Sequence, residues 1–178
     1  IINESGKLDL PLKFSSDKKA LEFFESEVLG NYKPDFIMPY SLDRKLITEI
    51  IKKTVSSSQE FINFNGKLIV FIHPSFDSFV KKRMNGGSGY TPRKELIIIG
   101  LYPKGWNKTA LSNTIAHEFN HSLFFKFNKC DTLLDSMIFE GLAEHFREAV
   151  MGGKIAPWAR ASNVSKSKKL LSKLKNSL

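Results

Sequence analysis

His117-Glu118-Phe119-Asn120-His121 narrows what the surrounding chain can fold into. Two histidines four positions apart face the same way only if the backbone between them is helical, because a turn takes about 3.6 residues. On such a helix both imidazoles can reach one Zn²⁺, with Glu118 beside the metal-bound water in the place of a general base. A catalytic zinc takes a third protein ligand and keeps a position for water. Glu140 is the candidate: eighteen residues separate it from His121, enough for two turns of helix, a loop and a return in a second helix. Glu144 falls one turn beyond Glu140 on the same face. A carboxylate there can accept the free ring N–H of a zinc-bound histidine and fix its tautomer. Gly141 is costly inside a helix, and a close approach of the two helices across the metal would account for it.

The rest of the chain is read around that helix pair. Apolar residues at helical spacing predict helices over Lys18–Leu29 and Ser41–Val55, the second with Leu46, Ile47, Ile50, Ile51 and Val55 on one face. The period then changes. Lys67–Ile72 is a short branched run expected to be a buried strand ended by Pro74, with Asn65-Gly66 as a hairpin turn joining it to Phe61–Phe64. Phe76, Phe79 and Val80 suggest a turn or two of helix. Gly86 to Pro92 lacks the Gly-Lys-Ser/Thr ending of a P-loop. It reads as a flexible loop able to come close to a ligand, or as a long hairpin connection. Lys94–Tyr102 is the second clear strand. Leu111–Phe127 and Thr132–Met151 are long helices, the latter capped by Asp131 and closed by Gly152-Gly153. Ser165–Asn176 is a last helical stretch. The expected fold is α+β, with a small mixed sheet packed on the helix that carries the HExxH motif and on a second helix that carries the third ligand. One domain is expected over 1–158, followed by a basic helical tail over 159–178. His73, far from the motif in sequence, is expected to be structural.

Composition removes some classes of function. Apolar residues at 42% and charged residues at 25% describe an ordinary globular chain, and the longest apolar run, Leu96–Leu101, is strand-sized. A membrane-spanning helix needs about 20 apolar residues, so no span is expected. The net charge of +9 invites a nucleic-acid partner, but seven Lys and Arg and no acid lie after Gly153, leaving the rest nearly balanced. A solvated basic tail explains that distribution, and nucleic acid is not an expected partner. Cys130 is the only cysteine, which excludes an internal disulfide and favours the cytoplasm. The first residue is Ile1 rather than Met, so export behind a removed leader is kept open.

HExxH followed after eighteen residues by Glu resembles the gluzincin metallopeptidases, as in the thermolysin-like and aminopeptidase groups. The wider order of segments is similar to a microbial family of predicted zinc-dependent proteases. That family has a Gly-rich segment ending Thr-Pro, a strand, HExxH, and a Leu-Leu-Asp-Ser run leading to Glu-Gly-Leu-Ala-Glu-His-Phe. Here these are Gly86 to Pro92, Glu95 to Leu101, His117 to His121, and Leu133 through Phe146. The resemblance, which covers Lys67 to Trp158, implies a zincin-like fold and a peptide or protein substrate. It implies His117, His121 and Glu140 as ligands of one Zn²⁺, Glu118 as general base and Glu144 as the outer partner of a ligand histidine. It also implies that Glu95, Leu96, Ile97, Ile98, Ile99, Gly100 and Leu101 form the sheet-edge strand along which a substrate lies extended. Phe139 stands where the aminopeptidases have Asn, and no motif for anchoring a chain terminus is present, which favours an endopeptidase.

Peptide hydrolysis by a zinc-bound water also needs a donor for the oxyanion. His145 and Tyr90 are the candidates, with Arg147 and Arg160 behind them, and the sequence does not choose. Two other readings stay open: a zinc hydrolase acting on a non-peptide substrate, and a vestigial zinc core whose basic tail binds a partner.

Overall fold

Leu96–Leu101 has no polar side chain to show to water, and in the computed structural model it lies at the centre of everything else. The structure describes Lys19, Glu22 and residues 43–62, 64, 66–153 and 164–175. The expected helix Lys18–Leu29 falls outside them except for Lys19 and Glu22, both helical. The elements in order are α1 (Arg44–Phe61), β1 (Ile69–Pro74), α2 (Ser78–Arg83), β2 (Gly87–Arg93), β3 (Leu96–Leu101), α3 (Lys108–Phe127), α4 (Leu133–Met151) and α5 (Val164–Lys175). This is an α+β arrangement built on a three-stranded mixed sheet in the order β1-β3-β2, with β3 parallel to β1 and antiparallel to β2.

The sheet's two faces follow from alternation along β3. Ile97, Ile99 and Leu101 join Leu111, Ile115 and Phe119 of α3, Ile47 and Ile50 of α1, and Phe146 of α4 in the main core. Leu96 and Ile98 turn the other way and pack with Ile69 and Phe71 of β1. Removing a fully buried side chain such as Ile99 costs about 2–5 kcal/mol, so this strand is a main anchor for the site helix.

Several expectations are corrected. β3 is paired along both edges, so Glu95 to Leu101 is not a sheet-edge strand and has no free backbone to offer a substrate. A run buried without alternation belongs in a sheet's interior. The Gly-rich segment is neither flexible loop nor connection but strand β2. Its Pro92 is accommodated because β2 is an edge strand with an irregularity between Tyr90 and Arg93. α1 continues past Val55 to Phe61, and the buried Ser58 on this extension gives its hydroxyl to Thr54 O at 2.9 Å, so it needs no partner outside the helix. Phe61 therefore ends a helix and meets Phe146 edge-on instead of starting a hairpin. Asn65 lies outside the described residues. α3 begins at Lys108, where Asn107 caps Ala110 N at 2.8 Å. The cap of α4 is Thr132, not Asp131: Thr132 N donates to Asp135 Oδ2 at 2.9 Å while Asp135 N donates to Thr132 Oγ1 at 3.1 Å. That reciprocal pair satisfies donors Asp131 alone could not. No helix among the described residues is long and apolar enough to cross a membrane.

Candidate metal centre

α3 is fixed against the sheet by Leu111, Ile115 and Phe119, which leaves the opposite helix face to His117 and His121. α4 lies beside it and brings up Glu140. Glu140 Oε2 stands 3.2 Å from His117 Nε2 and 3.7 Å from His121 Nε2. A ligand atom from each of the three residues falls within 4.8 Å of the others. Two ligands bound about 2.0–2.1 Å from a tetrahedral ion are roughly 3.3 Å apart. The two carboxylate-to-imidazole distances, 3.2 and 3.7 Å, lie near that separation, and two imidazoles with a carboxylate are a donor set that can hold a metal ion.

The two histidines are supported differently. His117 Nδ1 lies 3.0 Å from Glu144 Oε1, and Arg147 Nε donates to the other Glu144 oxygen at 3.0 Å. Arg147 Nη1 reaches Asn113 Oδ1 at 3.3 Å, so this buried guanidinium ties α4 back to α3. His121 Nδ1, by contrast, is buried with no hydrogen-bond partner among the described residues. Its ring is stacked on Phe139 instead, 3.6 Å between centroids and 8° from parallel.

Electrostatics follow the same geometry. Burial pulls the His117 imidazole down, but Glu140, Glu144 and Glu118 outweigh it and raise its pKa to about 9 in the metal-free protein. Hydrogen bonds from His117 and His121 hold Glu140 well below the usual carboxylate range. Burial opposes ionisation of Glu144, yet His117 and Arg147 lower it overall. Glu118 is shifted the other way: burial pushes it up, against the pull of His121, His117 and Thr91.

Glu118, 5% exposed, does not join the ligand set but lines the same cleft, which encloses about 910 Å³ between α3, α4 and β2. Its Oε2 accepts a hydrogen bond from Thr91 Oγ1 at 2.7 Å. A β-carbon placed on Gly89 would stand 2.4 Å from Glu118 Cγ. β2 thus passes directly beside the carboxylate, where any larger residue would collide. Neither Thr91 nor Gly89 was singled out by sequence reasoning. The available signal was glycine at alternate positions, Gly87 and Gly89, which in a strand marks the close approach of another element.

A family model described as predicted Zn-dependent protease (DUF2268) matches residues 47–177. The chain belongs to that family. The match runs from α1 through α5, so it takes in the sheet, both site helices and the basic tail. No curated protein and no solved structure matches the chain.

The remaining candidates are distributed unevenly about the cleft. Register pairs Tyr90 with Ile98, so the alternation of β2 aims Gly89 and Thr91 at α3 and Tyr90 towards the sheet's other face, although Tyr90 still borders the cleft. His145 is exposed and borders it from α4. Arg147 is engaged with Glu144 and Asn113, behind His117. Arg160 lies outside the described residues. Gly141 is exposed, and a β-carbon there would meet nothing within 4 Å among the described residues, so helix approach is not what requires it. His73 bonds Pro74 O through Nδ1 at 2.9 Å and stacks on Phe71, away from the ligand set.

Proposed function

We propose that the chain is a zinc-dependent endopeptidase of gluzincin type on a zincin-like scaffold. The observation that carries this reading is the convergence of His117 Nε2, His121 Nε2 and Glu140 Oε2 in a cleft that also holds Glu118. Zinc held by those three atoms would supply the positive charge that acidifies a water and polarises a carbonyl. Glu118, buried and raised by burial, is suited to take the proton of the attacking water and to return it to the leaving nitrogen. Glu144 keeps the His117 proton on Nδ1 and so leaves Nε2 free to ligate, while Arg147 fixes Glu144.

The strand beside the site is β2. One of its edges pairs with β3; the other pairs with no strand among the described residues. An extended peptide adding to that edge would have its backbone carried past Glu118. The strand along which a substrate would lie is therefore Gly87–Arg93 and not Glu95–Leu101. Of the oxyanion donors considered, His145 is the one we assign, since it is exposed along the cleft and Arg147 is committed elsewhere.

Metal analysis of the purified chain should return one zinc per molecule. A random-peptide library should be cleaved at internal bonds, and Glu118→Gln should abolish cleavage with zinc retained. A zinc-loaded protein that cuts no member of the library, or a Glu118→Gln variant as fast as wild type, would sink the peptidase reading.

A further inference from the structure

β2 contributes two things to the cleft wall that no metal ligand requires: a hydroxyl at Thr91 and an empty position at Gly89. Thr91 is 3% exposed, and its Oγ1 lies 2.7 Å from Glu118 Oε2 and 3.2 Å from Glu118 O. A β-carbon on Gly89 would be 2.4 Å from Glu118 Cγ and 2.5 Å from Oε1. Both carboxylate oxygens are thus located by the same strand, one by a hydrogen bond and one by the space left for it.

We propose that Thr91 is a positioning residue for Glu118, holding its carboxyl group in the cleft, and that Gly89 is the clearance this requires. The inference rests on the reading of Glu118 as the general base. A threonine hydroxyl has a single proton to give and lone pairs with which to accept. While Glu118 is ionised, that proton goes to Oε2 along the shorter contact. The proton taken from the attacking water goes to Oε1, the oxygen that Thr91 leaves open, and Oε2 keeps accepting from Thr91. As the C–N bond breaks, Oε1 gives that proton to the leaving nitrogen. The Thr91 proton never leaves Oγ1, so the step needs no further reactant. Both partners are buried, where losing a hydrogen bond to a charged group is most costly.

Thr91→Val keeps the shape of the side chain and removes the hydroxyl; Thr91→Ser keeps the hydroxyl. With a peptide selected from the library as substrate, Thr91→Val should retain the zinc content of wild type. Its kcat should fall by about ten- to a hundredfold, the value of a hydrogen bond to a charged group, while KM changes little. Thr91→Ser should recover most of that loss, and a crystal structure of zinc-loaded Thr91→Val should show the Glu118 carboxylate displaced from its place beside β2. Wild-type kcat in Thr91→Val, no recovery in Thr91→Ser, or an unmoved carboxylate would each overturn the proposal. Failure of the base assignment reads out separately, as wild-type turnover in Glu118→Gln. If no peptide is cleaved at all, the carboxylate position in Thr91→Val still decides whether Thr91 places it.

Discussion

Along one side of the cleft α3 and α4 present side chains, whereas along the other β2 withholds them. His117, His121, Glu140 and Glu144 act by what they carry, at positions set by helical spacing. Gly89 acts by what it lacks, and Thr91 adds one hydroxyl between α3 and the strand. The helical wall should therefore be sensitive to the chemistry of its residues, whereas the strand wall should be sensitive to size at Gly89 and to chemistry only at Thr91.

Glu140→Ala tests the helical wall most severely. Loss of an outer partner costs about 10–100-fold in metal affinity, and loss of a ligand should exceed that. A chelator-competition titration measures it, and unchanged affinity would end the three-ligand assignment. Gly89→Ala makes the matching test on the strand. Its methyl group would be driven into Glu118, 2.4 Å from Cγ, so cleavage should be lost while zinc is retained. Gly141→Ala is the control, since its methyl meets nothing within 4 Å among the described residues. Thermal unfolding should show it stabilised by up to about 1 kcal/mol, the usual gain of Ala over Gly in a helix. A harmless Gly89→Ala beside a damaging Gly141→Ala would invert the comparison.

The same contrast explains what could be read in advance. The helix wall was legible because histidines at i and i+4, and carboxylates at i and i+4, leave a period in the sequence. β2 was not, since a strand whose inward face must be empty has no apolar alternation, and Gly86 to Pro92 looks like a loop. The central place of β3 was in principle visible, because Leu96–Leu101 has no polar side chain to turn to solvent. The sheet-edge expectation rests on a resemblance in the order of segments and not on that pattern. Phe139 could be seen as a departure from Asn, but its place on His121 depends on how α3 and α4 pack, which no local period encodes.

Metal-free and metal-loaded protein should differ in their response to pH. His117 is raised from 6.5 to about 9, so its contribution to stability is complete below pH 6.5 and is lost as pH rises towards 9. Glu140 is lowered from 4.5, so its contribution is complete above pH 4.5 and is lost as pH falls through its depressed value. Both are fully present between pH 4.5 and 6.5. Urea unfolding of the metal-free protein should show this pair's stabilisation declining on the alkaline side of that window. Zinc displaces the His117 proton, so the loaded protein should lack that decline, and its formation near pH 7.5 should release a proton that a weakly buffered dye detects. Zinc uptake without proton release would show that His117 is neutral before the metal arrives.

The smallest effect concerns the two histidines. Glu144→Gln removes the charged acceptor from His117, and its cost in zinc affinity should fall in the roughly 10–100-fold range of such partners. His121 has no carboxylate behind its Nδ1 among the described residues and lies flat on Phe139 instead, whose ring is itself held by Phe124 and Phe125 at 5.1 and 5.0 Å. An aromatic pair contributes about 0.5–1.5 kcal/mol beyond its burial, so Phe139→Leu should weaken zinc only about two- to tenfold and Phe139→Tyr hardly at all. The order of the two losses carries the argument. If Phe139→Leu costs as much zinc affinity as Glu144→Gln, a stacked apolar ring orients a ligand histidine as firmly as a carboxylate does. The Nδ1 of His121, without a hydrogen-bond partner among the described residues, is then no weakness of the site.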